Sequence, residues 1–382
     1  MDLRAEPRPA SAGCDCSAQA ACCGPPAGPP AAEDELPGYE KCHFVLDFLD
    51  TAAGRVPVVE TRLTGRDRLT AFAARVGLWR NEHRVAPGLY AAGSPGAESG
   101  VFVTASYKLS FAALRRALSG RDAWILVVDT RGINVWCAAG KGTFSTEEVA
   151  RQIDGTGLAQ LVSHRRLVLP QLSATGVSAH RLKKMTGFTV KWGPVRARDL
   201  PAYLDRGMEA TTDMRRVGFN LYDRLVLVPV ELSQVLKPSV LVLLAMFAIS
   251  GIGPGVYSFG AMWSRGLMMA LAYVLGVLAG TVGTAALLPV IPGRALSAKG
   301  ALMGVFAGAV AGLVYMSRAG ALELLSMVLV ATAISSYLGM NYTGTTPYTS
   351  PSGVEKEMRR AMPAQAGGAL LALMLWVAAP FM

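Results

Sequence analysis

One cysteine stands where a thiolate could do chemistry. Cys137 lies in the run Gly132-Ile133-Asn134-Val135-Trp136-Cys137-Ala138-Ala139-Gly140-Lys141-Gly142, directly after the apolar stretch Ala123–Val128. Asn134 is a good N-cap residue, and Gly140 and Gly142 are good C-terminal stops, so 134–141 reads as about two turns of helix. Ala138 and Ala139 remove bulk beside the sulfur, which suits something large and flat. A soft thiolate on a small rigid cap points to axial ligation of a cofactor metal more than to a disulfide or a zinc site. A metal would hold the thiol deprotonated. Two other readings stand beside it. A buried cysteine can be only a small hydrophobe. A nucleophilic cysteine would need a histidine from among His43, His83, His164 and His180.

The surrounding segments must position this helix. From residue 43 the pattern predicts an α/β domain. Strands are expected at 56–63, 100–105, 123–128, 166–172 and 188–192, and helices at 108–118, 178–186 and 200–206. Residues 79–90 lead into a loop with Gly93, Pro95 and Gly96. Ser145-Thr146-Glu147-Glu148 reads as a capping box opening a helix to about residue 161. Strands alternating with helices predict a parallel, Rossmann-like sheet covered on both faces, with ligands beyond the carboxyl ends of its strands. Four exits there are rich in small and polar residues. They are Thr104-Ala105-Ser106 (with Ser110 on the following helix), 129–141, Gln171-Leu172-Ser173-Ala174-Thr175-Gly176, and Gly193-Pro194-Val195-Arg196. Neither G-x-G-x-x-G nor a Walker A sequence is present, which disfavours a nicotinamide cofactor or a nucleoside triphosphate.

Composition divides the chain. It is 52% hydrophobic and 17% charged, and most of the charge lies before residue 238. Mean hydropathy is +0.34. The expected domains are a Cys/Pro/Ala-rich tail over 1–42, the α/β domain over 43–222, a linker over 223–238 and an all-α transmembrane domain over 239–382. Five apolar stretches (239–259, 266–291, 298–316, 320–340 and 365–382) are each long enough for a ~30 Å hydrocarbon core. Gly304, Gly308 and Gly312 suit close helix packing. The spans hold almost no ionisable group beyond Glu323, which fits an anchor better than a transporter. The polar stretch 341–363 reads as a loop.

Basic residues concentrate on one side. Arg215, Arg216, Arg224, Lys237, Arg294, Lys299, Lys356, Arg359 and Arg360 stand against Arg265 and Arg318. The positive-inside rule then puts the α/β domain in the cytoplasm and the C-terminus outside an inner membrane. Nucleic acid is an unlikely partner despite the net charge of +10, because the basic residues are scattered. No apolar signal segment precedes Cys14, Cys16, Cys22, Cys23 and Cys42, so a reducing compartment is expected and a disulfide framework is not.

The segment 134–141 resembles the cap-helix signature of the HgcA family, the membrane corrinoid proteins of microbial mercury methylation. The resemblance continues through 163–172, 192–196 and 348–360 and covers about 43–382; the four tail cysteines lie outside it. It implies a corrinoid domain related to that of the corrinoid iron–sulfur protein, holding cobalamin or a related corrinoid. Cys137 would be the lower axial ligand of cobalt. Asn134, Val135, Trp136, Ala138, Ala139, Gly140 and Lys141 would form the cap against the ring. The resemblance further implies a methyltransferase that passes a methyl group from methyl-Co(III) to Hg(II). The dicluster [4Fe–4S] ferredoxin-like protein HgcB would be its reductant and a folate-dependent system its methyl donor. A membrane-anchored methyl carrier with another native acceptor is the alternative.

Overall fold

A computed structural model describes residues 29–31, 37, 42–77, 83–342 and 351–382. Cys14, Cys16, Cys22 and Cys23, with the expected tail up to residue 28, and Trp79 lie outside the described residues. The chain forms two units, Ala27–Lys237 and Pro238–Met382.

The first unit holds a seven-stranded sheet. Its elements in chain order are β1 (Val45–Thr51), β2 (Gly54–Val59), α1 (Gly65–Val76), β3 (Gly88–Ala92), β4 (Gly100–Ala105), α2 (Lys108–Ala117), β5 (Ala123–Val128), α3 (Val135–Gly140), α4 (Thr146–Gly155), α5 (Leu158–Leu161), β6 (Arg166–Leu169), α6 (Ala179–Thr186), β7 (Thr189–Trp192), α7 (Leu200–Asp205) and α8 (Leu221–Leu225). The strand order is β1-β2-β3-β5-β4-β6-β7. Central β5 is buried along its whole length, which explains its unbroken apolar run. The two sheet faces alternate along each strand. Val101, Val103, Leu126 and Val128 pack with Val149, Ile153 and Leu182 of α4 and α6. Phe102, Ile125 and Val127 pack with Phe111 and Leu114 of α2 and with Leu200 and Tyr203 of α7.

The sheet is mixed, which corrects the all-parallel, Rossmann-like expectation. β5, β4, β6 and β7 run parallel to one another and β2 runs parallel to β3, but β3 is antiparallel to β5 and β1 is antiparallel to β2. The reason is local. Only a short turn separates β3 from β4, too short for a parallel crossover. The chain therefore reverses there, and β5 inserts between the two strands. This reversal brings residues 83–87, which enter β3, to the edge where β4 and β5 end.

Several boundaries also differ. The second strand stops at Val59, and β6 stops at Leu169 before a short helical turn over Gln171–Ser173. The helix expected to reach 161 breaks after Gly155, and Gly157 takes a left-handed φ of 61° before α5.

The second unit is a helical bundle. It is built from α9 (Val228–Ser250), a two-stranded hairpin of β8 (Ile252–Gly253) and β9 (Val256–Tyr257), α10 (Phe259–Leu278), α11 (Thr284–Leu287), α12 (Leu296–Tyr315), α13 (Ala321–Asn341) and α14 (Pro351–Ala378). Among the described residues, five helices are long and apolar enough to cross a membrane. The chain is thus a multi-pass membrane protein carrying an α/β domain. The expected linker 223–238 is not a loop: it lies mostly in α8 and in α9, which runs through Pro238. The expected loop 341–363 is helical from Pro351 onward.

Bundle packing rests on small residues, in a register one turn earlier than expected. A side chain on Gly300, Gly304 or Gly308 would come within 2.4–2.6 Å of the α13 backbone, whereas Gly312 faces only Leu324 at 3.6 Å. Polar clusters sit at the two ends of the bundle. At one end Arg265 pairs with Glu323 at 2.7 Å, bonds the carbonyls of Ser250, Ile252 and Trp376, and lies over the Trp376 ring. At the other, Lys299 donates to the carbonyls of Leu288 and Ile291, and Glu357 accepts from the Ser297 amide at 2.6 Å. Both ionic groups thus close helix ends, away from the mid-plane positions that ion-coupled transport uses.

Candidate functional site

The crossovers from β4 reverse direction between β4 and β6: one connection leads to β5, the next returns past β4 to β6 and on to β7. Such a switch point leaves a crevice beyond the strand ends. The loop from β5 and helix α3 lie there, with α3 packed against the 171–173 turn that follows β6 and against the end of β4.

The loop is held by side chains from neighbouring strands. Arg131 and Gly132 both adopt left-handed φ, 56° and 74°. Asp129 closes this bend by accepting the Arg131 amide at 2.9 Å. Ser106, fully buried at the end of β4, accepts the amides of Thr130 at 3.0 Å and Gly132 at 3.3 Å, and its Oγ lies 3.2 Å from Thr130 Oγ1. Arg84 reaches Asp129 at 3.0 Å from the segment entering β3. Glu148 accepts the Asp129 amide at 2.9 Å. Ser145 caps α4 by accepting the Glu148 amide, but the Glu148 carboxylate is spent on Asp129, Arg151 and Gln152. The expected reciprocal capping box is therefore a tie between α4 and the site loop. Sequence reasoning missed Arg84 and Glu148 in this role, because only the tertiary fold brings them to Asp129.

Helix α3 starts as its sequence predicts. Asn134 Oδ1 accepts the Cys137 amide at 3.0 Å, and its Nδ2 lies 3.5 Å from Cys137 Sγ. Cys137 is half-buried and Trp136 is 40% exposed, so the sulfur and the indole lie on the accessible side. Gly140 is exposed inside the helix, Lys141 is its C-cap, and the left-handed stop is Gly142 at φ 77°. Ala138 and Ala139 correct the expectation placed on them. They are buried in the core with Val135 packed beside them, and do not open space beside the sulfur. The close approach is allowed by Gly176, which lies against the backbone of Ala139 and Phe144. A side chain there would come within 2.2 Å of the Phe144 carbonyl and 3.0 Å of Ala139 Cα.

The remaining expected site residues divide. Thr104 is buried at the end of β4, and Ser110 is half-exposed on α2. In the turn after β6, Ser173 is buried and bonds the Pro170 carbonyl, Leu172 is half-buried, and Ala174 is exposed. Gln171 accepts from Arg215 at 2.8 Å. The exit after β7 serves a different purpose. Gly193 and Pro194 are buried, the Val195 amide bonds Met214, and Arg196 grips Asp223 at 2.6 and 3.1 Å and the Gly218 carbonyl at 2.9 Å. That pairing holds the Asp223 carboxyl below the usual range. Residues 193–196 thus anchor the segment leading to α8.

Of the four candidate histidines, His43 bonds Asp67, His164 bonds the Ser99 carbonyl at the opposite ends of the strands, His180 is exposed on α6 and His83 is buried in the segment that enters β3. Among the described residues no group of three or more His, Cys, Asp or Glu could hold a metal ion. A single accessible sulfur suits a metal that brings its own equatorial ring.

Two substitutions test this construction. Ser106→Ala should leave the Thr130 and Gly132 amides without their acceptor, at a cost of about 1–3 kcal/mol. Faster amide exchange confined to 129–141 would show it. Gly176→Ala should cost about 1–3 kcal/mol through overpacking against backbone that cannot yield. Its melting temperature should fall and the 171–176 turn should part from α3.

The site therefore belongs to a three-layer α/β domain whose switch-point crevice is capped by a short cysteine-bearing helix. Residues 79–204, about a third of the chain, match the family described as CO dehydrogenase/acetyl-CoA synthase delta subunit. The chain is similar to acetyl-CoA decarbonylase/synthase complex subunit gamma of Archaeoglobus fulgidus (31% identical over 129 residues, 33% of this chain and 27% of the relative). It is similar to the same subunit of Methanopyrus kandleri (33% identical over 129 residues, 33% and 28%) and of Methanocaldococcus jannaschii (33% identical over 112 residues, 29% and 22%). The chain thus spans only about a quarter of these relatives' length.

These matches overturn the resemblance to the HgcA family. They repeatedly select acetyl-CoA decarbonylase/synthase complex subunit gamma, and the family match over 79–204 contains the cap. The mercury methyltransferase activity, Hg(II) as acceptor, HgcB as reductant and the folate-dependent donor fall with it. The physical reason is that 134–141 encodes a local cap. An N-cap asparagine and two small inward residues specify how the helix sits, and say nothing of what accepts the transferred group.

Proposed function

We propose that this protein is a membrane-anchored corrinoid methyl carrier, with Cys137 as the protein's axial ligand to cobalt and a methyl acceptor other than mercury. The observation that carries the reading is the placement of the only accessible sulfur of α3 over the switch-point crevice of a domain similar to subunit gamma of acetyl-CoA decarbonylase/synthase. By analogy with that relative's name, the acceptor belongs to chemistry that makes or cleaves an acetyl unit. Cobalamin or a related corrinoid fits the donor set, because its ring nitrogens leave cobalt needing at most one protein ligand. When bound, it supplies a metal centre that takes up and gives up a methyl group. The chain's own residues do the rest. Ser106, Asp129 and Glu148 fix the loop, Asn134 orients the cysteine, and Gly176 lets the cap lie close to the sheet. Exposed Trp136 offers an apolar face to the ring.

The positive-inside rule puts the α/β domain in the cytoplasm. Two of the charges weighed for that orientation, Arg265 and Lys299, are engaged within the bundle, one from each side. The remaining asymmetry is unchanged in sign.

The test is anaerobic loading of the full chain in detergent with hydroxocobalamin, gel filtration and cobalt analysis. About one cobalt per chain is expected for a single axial thiolate. Cobalt no higher than in a protein without a corrinoid site would overturn the reading.

A further inference from the structure

The α/β unit carries an apolar surface that the crevice does not use. Helix α1 exposes Leu69 at 69% and Phe72 at 63%, and half-exposes Val76. Their spacing puts all three on one helical face. Arg68 and Arg75 flank that face on one side and Arg66 on the other, all exposed. The orientation is imposed by the opposite face. Ala74 is buried there, and Asp67 is bound to Thr64, His43 and Arg115. Asp67 is the only acidic residue of α1. The face toward solvent is therefore apolar at its centre and basic at both rims.

The position of α1 identifies what meets this face. Its C-cap, Gly77, abuts α9: a side chain there would come within 2.7 Å of the Ser233 hydroxyl and 3.4 Å of Val230. The span containing Val230 and Ser233 crosses the bilayer, and its uninterrupted apolar run begins at Val240. Ser233 lies about 10 Å along the helix from that point, at 1.5 Å per residue. That is the outer edge of the headgroup layer, about 5–8 Å thick on each side of a hydrocarbon core that starts there.

We propose that α1 is an interfacial helix, with Leu69, Phe72 and Val76 entering the headgroup–acyl boundary and Arg66, Arg68 and Arg75 binding anionic phospholipid. An exposed apolar face with arginine rims, tied to the entry turns of a membrane span, matches the chemistry of such helices. The docking is independent of the corrinoid reading.

The test uses the full chain in vesicles of phosphatidylcholine with a minority of phosphatidylglycerol. A benzophenone amino acid placed at position 69 is photolysed and the adducts are weighed by mass spectrometry. A phospholipid adduct is expected, with phosphatidylglycerol over-represented about fivefold relative to its share, the factor of one basic contact. Replacing all three arginines (Arg66→Ser, Arg68→Ser, Arg75→Ser) should bring that ratio to parity while lipid labelling persists. An adduct of doubled chain mass would show instead that a second copy covers α1, and no adduct would show that solvent does; either overturns the proposal. Hydrogen exchange on the unaltered chain guards against a misfolded variant. Amides of 65–77 should exchange more slowly in the mixed vesicles than in phosphatidylcholine alone, and equal rates would count against it.

Discussion

Cys137→Ala should abolish sulfur-to-cobalt absorption in the corrinoid-loaded protein and reduce methyl transfer by at least about 100-fold, the upper end of what even indirect ligand partners cost. The fold should barely register the change. Cys137 is half-buried, its amide would keep the bond to Asn134, and alanine is a better helix former than cysteine. Stability should move by no more than about 0.5 kcal/mol. This split between an altered spectrum and an unaltered melt identifies a ligand, since a cysteine serving only as packing would show the reverse. A variant that keeps the wild-type spectrum and full transfer would remove Cys137 from the metal. Asn134→Ala should behave differently. It removes the cap, worth about 1 kcal/mol, as well as the amide that lies 3.5 Å from the sulfur.

Asp67→Ala should cost about 3–5 kcal/mol, the largest stability loss expected in the α/β unit. The carboxylate is bound by Arg115 at 2.9 Å and His43 at 2.9 Å and closes a capping box with Thr64. Arg115 is itself 1% exposed, bonds the Glu60 carbonyl, and lies over the rings of Phe44 and Phe111. Removing Asp67 strands that guanidinium in the core between α1 and α2. Unfolding of the detergent-solubilised chain, followed by exchange of the α1 and α2 amides, measures the loss. Acid should act on the same group. Burial alone would raise its pKa, but hydrogen bonds from Thr64 and His43 and the charge of Arg115 outweigh burial and bring it from 3.8 to about 2. A depressed carboxyl stabilises fully above its unfolded pKa and loses that contribution as pH falls through the folded value. Wild-type stability should therefore decline from about pH 4 toward pH 2, and Asp67→Asn should flatten that part of the curve. An unchanged acid limb in the variant would show that other carboxylates govern it.

The parts of this protein that were legible in the sequence are those governed by near neighbours. The Asn134 cap, strands β4 and β5 and helices α2 and α6 lie within a residue or two of where pattern and capping chemistry put them. Five apolar spans were visible because length and hydropathy are properties of a segment alone. The errors fall where a partner far along the chain decides. Glu148 follows the capping-box pattern, but its carboxylate has a better donor in the Asp129 amide. Ala138 and Ala139 looked like clearance for a ligand, yet they are buried in the core. The glycine register in α12 moved by a turn because α13, and not the sequence of α12, chooses which glycines it touches. The eight-residue cap motif suggested a family and an acceptor, while similarity over 79–204 points elsewhere.

By itself, then, the sequence determined a cysteine on a capped short helix after a buried strand, an α/β domain, and a chain that crosses a membrane. Each follows from backbone propensity, side-chain period or the cost of putting apolar surface in water. Tertiary structure alone decided that β3 runs against β5, so that Arg84 meets Asp129 at the site. It also decided that Ser106 holds the loop before α3, and that α1 turns Leu69 and Phe72 outward. Those outcomes depend on which buried polar groups find partners across the fold. Such pairing is worth enough to override local pattern, and no single segment encodes it.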